Sequence, residues 1–156
     1  MERTLIFLKP DAVSRRLVGE IVSRFERRGF SLVGLKMLQL SDEFVRAHYG
    51  AHEGKSFYDG LVNYTLSGPV VAVVLEGKNA VNVVRAMMGA TFGCDYAPGT
   101  IRGDYAQSNR FNLLHGSDSP QAAEEEIARF FSPDELVRVP AEFTRWIYDQ
   151  SGPEPI

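Results

Sequence analysis

One histidine stands where an apolar stretch ends, in Asn112-Leu113-Leu114-His115-Gly116-Ser117-Asp118-Ser119. Neutral imidazole has a free nitrogen lone pair and can act as a nucleophile that carries a covalent group. Gly116 removes bulk beside it, and the hydroxyls and amides of Ser117-Asp118-Ser119 are expected to meet an anion. Three other cationic positions have types that suit such chemistry. Lys9, in Lys9-Pro10-Asp11, leaves the end of an apolar run; Arg85 falls on a helical pattern; Arg102 lies in the loop run Pro98-Gly99-Thr100-Ile101-Arg102-Gly103-Asp104-Tyr105. With glycines on either side, the Arg102 guanidinium is expected to present a bidentate fork to phosphate. A lysine, two arginines and a neutral histidine in one cleft would suit a polyphosphate, because phosphoryl transfer depends on positioning and on spreading charge. Each residue also has a plain reading. Lys9 could end a strand in solvent, Arg85 could complement a helix dipole, and Arg102 could pair with Asp104. Spacing alone does not bring the four together.

Two look-alike motifs carry less. Gly50-Ala51-His52-Glu53-Gly54-Lys55-Ser56 resembles a P-loop, but only three residues separate its glycines and Tyr49 stands where the first glycine is needed. His48 and His52 are spaced i, i+4 as in a metal pair, but no cysteine or third histidine is near in the sequence, so no protein metal site is expected there.

The elements that must position these residues follow from periodicity and punctuation. Leu5–Leu8 reads as a buried strand ended by Lys9-Pro10-Asp11, and residues 13–28 as a helix with Leu17, Val18, Ile21, Val22 and Phe25 on one face, stopped by Gly29. Residues 30–40 read as a second strand, and Ser41-Asp42 caps a helix reaching Tyr49. Residues 50–60 read as a loop or lid, 61–66 as helical, 70–75 as a buried strand, and 79–88 as a helix closed by Gly89. Residues 90–108 lack periodicity, and a loop near this length in a compact domain is usually functional. A short strand then carries His115. Ser119-Pro120 opens a helix that buries Ala123, Ile127, Phe130 and Phe131, with Glu126 on its flank. A last helix is expected over residues 140–148, before a Gly-Pro-rich tail. The order β-α-β-(α)-β-α-β-α predicts an α/β (α+β) fold: a ferredoxin-like βαββαβ antiparallel sheet with helices on one face.

The chain's 156 residues fit a single domain over 1–150 with a short tail over 151–156, and its 44% hydrophobic and 24% charged residues fit a packed core. A net charge of −3 argues against general nucleic-acid binding. No apolar run approaches the ~20 residues of a membrane span. The one cysteine, Cys94, excludes an internal disulfide and fits a reducing compartment. With no secretory signal pattern at the start, the reading is a cytoplasmic protein.

Asn112-x-x-His115-Gly116-Ser117-Asp118, downstream of Pro98-Gly99-Thr100-Ile101-Arg102-Gly103-Asp104, resembles the nucleoside diphosphate kinase family. The resemblance runs over about residues 2–148, through Lys9-Pro10-Asp11, Ser67-Gly68-Pro69-Val70-Val71 and Trp146-Ile147-Tyr148. It implies transfer of the γ-phosphoryl of an NTP, usually ATP, to an NDP by a ping-pong route through phosphorylation of His115 at Nδ1. It implies that Glu126 bonds the other ring nitrogen and that Tyr49 lies near the histidine. It implies that Lys9, Arg102 and Asn112 meet sugar and phosphates, that Phe57 stacks on the base, and that Arg85 and Thr91 meet the β-phosphate. It also implies Mg²⁺ held mainly by the nucleotide, broad base specificity, and a homo-oligomer, a hexamer in preference to a tetramer. The chain departs from the family pattern at Phe92-Gly93, where many members have Asn-Pro, and at Asn109, where an aliphatic side chain often covers the second face of the base. Ala51 stands where many have an acidic residue. A non-catalytic module with this fold and a histidine phosphocarrier accepting phosphate from a protein are the competing readings. The full set of nucleotide-contacting types argues against both.

Overall fold

The first strand, β1 (Glu2–Leu8), is apolar on both faces, and the rest of the molecule is arranged to cover it. Successive strand residues point to opposite sides. Ile6 and Leu8 accordingly enter one hydrophobic cluster, while Leu5 and Phe7 enter another. The structure, a computed structural model, describes residues 1–91, 96–149 and 151. The expectations for Gly93 and Cys94, and most of the expected tail, lie outside the described residues.

The sheet has strand order β2-β3-β1-β4, with β2 Ser31–Leu38, β3 Val70–Gly77 and β4 Leu114–Gly116, and every neighbouring pair is antiparallel. This is the expected ferredoxin-like plan. β3 repeats the two-sided pattern of β1. Val71, Val73 and Leu75 share a cluster with Ile6 and Leu8, whereas Val70, Ala72 and Val74 join Leu5 and Phe7. Register makes this possible, since Leu5 lies opposite Val74 and Ile6 opposite Val73.

Two buried faces need two helical layers, so the one-face arrangement expected from sequence is corrected. Helices α1 (Pro10–Ser14), α2 (Val18–Arg27) and α5 (Ala80–Met88) contribute to the first cluster through Ala12, Ile21, Phe25, Val84 and Met88. Helices α3 (Asp42–His48), α4 (Tyr58–Leu66) and α7 (Pro120–Phe130) cover the other face with Val45, Tyr58, Val62, Ile127 and Phe130.

Other boundaries also differ from expectation. The helix expected over 13–28 is α1 and α2, separated where Arg16 takes a left-handed backbone with φ of 59°. Leu17 lies at that break and packs on the core only in part. The aperiodic stretch before His115 contains a short helix, α6 (Ile101–Tyr105), whose Thr100 hydroxyl accepts from the Gly103 N–H at 2.9 Å. The helix expected over 140–148 reduces to a single 3₁₀ turn, Ala141–Phe143. Phe143, Trp146 and Ile147 are exposed, so this segment lacks the packed face that stabilises a short helix in water. Ser41 and Ser119 cap α3 and α7 as expected, accepting from Phe44 and Ala122 N–H groups. Among the described residues no helix is long and apolar enough to cross a membrane.

Candidate functional site

His115 is the middle residue of β4, opposite Phe7 of β1. Leu114 on one side of it enters the α2/α5 cluster, so His115 points to the other face, toward α3 and α7. Its ring stacks on Phe7 with centroids 4.9 Å apart and meets the His48 ring nearly at right angles, also at 4.9 Å. Gly116 is needed for packing: a Cβ there would come within 2.5 Å of Met88 Sδ, so glycine admits α5.

Glu126 reaches back from α7. Its Oε1 lies 2.9 Å from His115 Nε2, and its Oε2 accepts from the Ser117 hydroxyl at 2.6 Å. Burial alone would raise the Glu126 carboxyl. The bond to His115 and the charge the imidazole can carry, then the bond from Ser117, outweigh that and hold it below its usual value. An ionised Glu126 is an acceptor only, so Nε2 carries the proton and Nδ1 keeps its lone pair.

The structure brings the sequence-derived set into one cavity of about 690 Å³, a volume suited to a nucleotide. Lys9, Tyr49, Phe57, Arg85, Thr91, Arg102, Asn112, His115 and Glu126 all line it. A larger groove of about 820 Å³ along α7 and the start of β1 includes none of them.

Lys9 is buried and donates from Nζ to Asn112 Oδ1 at 2.7 Å. Burial, reinforced by Arg102 and opposed by Asp11, pulls its ammonium down to about 8. Asn112 in turn donates to the Asn109 and Thr91 carbonyls. Arg85 Nη1 donates to the Gly116 carbonyl at 3.3 Å. Tyr49 is buried, which raises its phenol. Phe57 is 40% exposed among the cavity-lining residues, with Lys55 Nζ 5.8 Å from its ring centroid and the His52 ring 5.6 Å away. Asn109, where the sequence departs from the family pattern, also lines the cavity.

Arg102 differs from expectation. Rather than offering a free fork, its guanidinium donates to the backbone carbonyls of Asn112, Gly89, Ala90 and Leu114. Those bonds use both Nη1 hydrogens, the Nε hydrogen and one on Nη2, so one N–H remains for a ligand. Burial lowers this guanidinium to about 10, with Tyr96 opposing and Arg85 adding to the fall, and it stays cationic near neutral pH. The plain reading that Arg102 pairs with Asp104 is also set aside, since Asp104 pairs with Arg24 at 2.6 Å. The Ser117 hydroxyl donates to Glu126, and the Ser119 oxygen accepts from the Ala122 N–H to cap α7.

The P-loop look-alike is a 3₁₀ turn, Gly50–His52, between α3 and α4, with no strand before it. The His48/His52 pair does not converge: His48 faces His115, whereas His52 stacks on Tyr49. Sequence reasoning missed His48 as a neighbour of His115, and Arg110 and Asp118 as lining residues of the cavity. His48 sits among Phe7, Tyr49, Phe130 and His115. Burial, reinforced by His115, lowers it to about 3, so it is a neutral ring packed against His115. Its only sequence signal was the spacing to His52, which pointed elsewhere. Among the described residues, His48, His115 and Glu126 form the one group with donor atoms close enough to hold a metal ion. Mg²⁺ prefers oxygen ligands, and both Glu126 oxygens are already bonded, so this group does not suit it.

A ferredoxin-like sheet that presents a half-buried histidine to a cation-lined, nucleotide-sized cavity defines a phosphotransferase acting on small anionic substrates. The family model described as nucleoside diphosphate kinase matches residues 2–136. The chain is 56% identical to a nucleoside diphosphate kinase of Pelotomaculum thermopropionicum over 149 residues, covering 96% of this chain and 100% of that one. It is 51% identical to that of Archaeoglobus fulgidus over 150 residues, 96% of this chain and 99% of the relative. A halophilic nucleoside diphosphate kinase from Halobacterium salinarum, solved in complex with CDP, superposes with a TM-score of 0.92 at 49% identity, over 95% of this chain and 99% of that one. A Babesia bovis member superposes at 0.90 with 39% identity, over 95% of this chain and 100% of that one. The chain belongs to the nucleoside diphosphate kinase family, the phosphotransferases that move the γ-phosphoryl of an NTP to an NDP.

Proposed function

We propose that this transfer runs through His115, with Glu126 and Tyr49 beside it and Lys9, Phe57, Arg85, Thr91, Arg102 and Asn112 binding the nucleotide. The observation that carries the reading is the 2.9 Å approach of Glu126 to Nε2, which leaves Nδ1 as the nucleophilic nitrogen. The Nδ1 lone pair forms a bond to the γ-phosphorus while the bond to the β–γ bridging oxygen breaks, and NDP leaves with that oxygen. The Nε2 proton stays in place, and Glu126 offsets the positive charge that the ring acquires. A terminal β-phosphate oxygen of the second NDP then attacks phosphorus, the N–P bond breaks, and the imidazole returns to neutral. The two half-reactions use the same pocket because leaving and entering diphosphates are chemically alike.

Lys9, Arg85 and the remaining N–H of Arg102 supply positive charge for the phosphates. Mg²⁺, held mainly by the nucleotide, would neutralise phosphate charge there. Asp118 and Glu126 are the carboxylates among the described lining residues, and Glu126 is fully engaged, which supports an ion carried by the nucleotide rather than by a protein cage. Phe57 offers a π-face that any base can stack on, in keeping with broad base specificity.

The reading includes one catalytic domain over 1–150, a cytoplasmic location and assembly into a homo-oligomer, a hexamer in preference to a tetramer. Exposed Leu35 and Met37 on the edge strand β2, with Trp146 and Ile147, are apolar surface that subunit contacts would cover. A mass measurement in solution at micromolar concentration checks assembly, and a monomer would refute it.

The deciding experiment is a single turnover with γ-labelled ATP and Mg²⁺, then a chase with GDP or CDP. An acid-labile, base-stable label on the protein that passes to the diphosphate supports the route. Nucleotide bound without labelling would favour a non-catalytic module. A label that never leaves for an NDP would favour a phosphocarrier.

A further inference from the structure

Leu113 connects Asn112 to the strand of His115, and it does so with φ of 75°, a left-handed backbone that leucine adopts at a steric cost. It is fully buried, so the conformation is held by its surroundings. The restraint comes from Asp11. Asp11 Oδ2 accepts the Leu113 N–H at 3.2 Å, while the Leu113 carbonyl accepts the Lys9 N–H at 2.8 Å. The turn after β1 and the turn before β4 are therefore laced together on both sides of one residue. The same lacing brings Lys9 Nζ to Asn112 Oδ1.

Asp11 is itself oriented by Tyr64 of α4, whose hydroxyl donates to Oδ1. Tyr64 is buried, and its ring meets Phe111 edge-on at 5.0 Å, just ahead of the laced turn. Burial, then the bond to Asp11, raises this phenol well above its ordinary value, so it remains a donor at any working pH. Gly68 allows the end of α4 to come this close, because a Cβ there would already lie 3.3 Å from Pro10 Cβ. Neither Tyr64, Asp11 nor Leu113 lines the nucleotide-sized cavity, yet Lys9 and Asn112 do.

We infer that Tyr64 and Asp11 are positioning residues for the phosphotransfer: through Leu113 they fix the Lys9–Asn112 pair on the substrate phosphates and sugar. The inference rests on the proposed nucleotide contacts of Lys9 and Asn112. Without the Tyr64 hydroxyl, Asp11 loses its orientation, the left-handed turn relaxes, and the two polar side chains no longer meet at one point.

The test is a thermodynamic cycle read by single-turnover phosphorylation with MgATP, whose second-order rate constant can be followed over several decades. Tyr64→Phe keeps the ring and removes only the donor. It is expected to lower the rate constant about tenfold in the otherwise unaltered enzyme and less than about twofold in a Lys9→Ala/Asn112→Ala background. An equal loss in both backgrounds would show a general structural role and overturn the inference, as would a loss under about twofold in the unaltered enzyme. Asp11→Asn, which keeps shape and removes charge, is expected to follow the same pattern and decides the matter if Tyr64→Phe does not fold. The nucleotide-contact reading is judged separately. If the Lys9→Ala/Asn112→Ala enzyme is phosphorylated at the unaltered rate, that reading fails. If it is slow but Tyr64→Phe costs the same in it, only the positioning inference fails.

Discussion

Glu126 holds His115 by one ring nitrogen only: Oε1 lies 2.9 Å from Nε2, and Oε2 is occupied by Ser117 at 2.6 Å. The carboxylate thus sets the tautomer of the nucleophile without touching its reactive side. Glu126→Gln keeps the shape but removes the charge that offsets the phosphorylated ring. We expect His115 phosphorylation to slow by about 10- to 100-fold, with ADP affinity nearly unchanged, as read by rapid quench and calorimetry. His115→Ala should abolish transfer and leave ADP binding largely intact; turnover near that of the unaltered enzyme would remove His115 from its role.

The buried ammonium of Lys9, lowered to about 8, gives a pH dependence with a defined sign. Nucleotide phosphates favour the protonated form, so binding restores the proton. ADP affinity should hold below pH 8 and fall as pH rises through that value. Lys9→Met should bind more weakly near neutral pH and lose this decline. Calorimetry of ADP from pH 6.5 to 9.5 checks both, and a flat profile in the unaltered enzyme would contradict the assignment.

Arg102 ties together four backbone carbonyls, one of which, that of Asn112, also accepts from the Leu114 N–H. Lysine supplies a point charge with three hydrogens and cannot span them. Arg102→Lys should therefore cost stability, on the order of 1–3 kcal/mol for each carbonyl left unpaired in the interior. It should also weaken ADP binding, because Asn112 loses its neighbour. Urea unfolding and ADP titration measure the two effects. Arg102→Ala should impair both binding and transfer, and an unchanged phosphorylation rate would reject Arg102 as a phosphate ligand.

His48 is neutral in the fold, with its value lowered to about 3 from an ordinary 6.5. Between these values the unfolded chain takes up a proton that the folded one refuses, so stability falls as pH drops through that window. Above pH 6.5 the residue makes no such contribution. One group changes stability by at most about 1.4 kcal/mol per pH unit. Glu126, depressed in the fold, adds to acid lability at lower pH. His48→Phe should flatten the dependence between pH 6.5 and 4.5 in urea titrations, where an unchanged slope would count against a buried neutral ring.

Much of the fold could be read from one-dimensional pattern. The runs at Leu5–Leu8 and Val70–Leu75, the caps at Ser41 and Ser119, and Pro120 at the start of α7 are local signals, and each is found where expected. The break at Arg16 was not visible, because the apolar spacing runs through it and a left-handed arginine leaves no periodic trace. The helix expected over 140–148 failed for a different reason. Phe143, Trp146 and Ile147 stay exposed among the described residues, so no packed face holds a longer helix there.

The sequence by itself determined the order of elements, the residue types of the site and, through the Asn112–Asp118 and Pro98–Asp104 motifs, the family. These depend on covalent order and local spacing, which the chain carries with it. Only the tertiary structure decided that helices cover both faces of the sheet, that Arg102 spends four of its N–H groups on backbone, and that His48 rather than His52 faces His115. It also decided that Tyr64 reaches Asp11 across 53 positions of chain. Such relations depend on which surfaces must be buried together and which polar groups must then find partners. No local pattern encodes them, because the partners are neighbours in space and not in sequence.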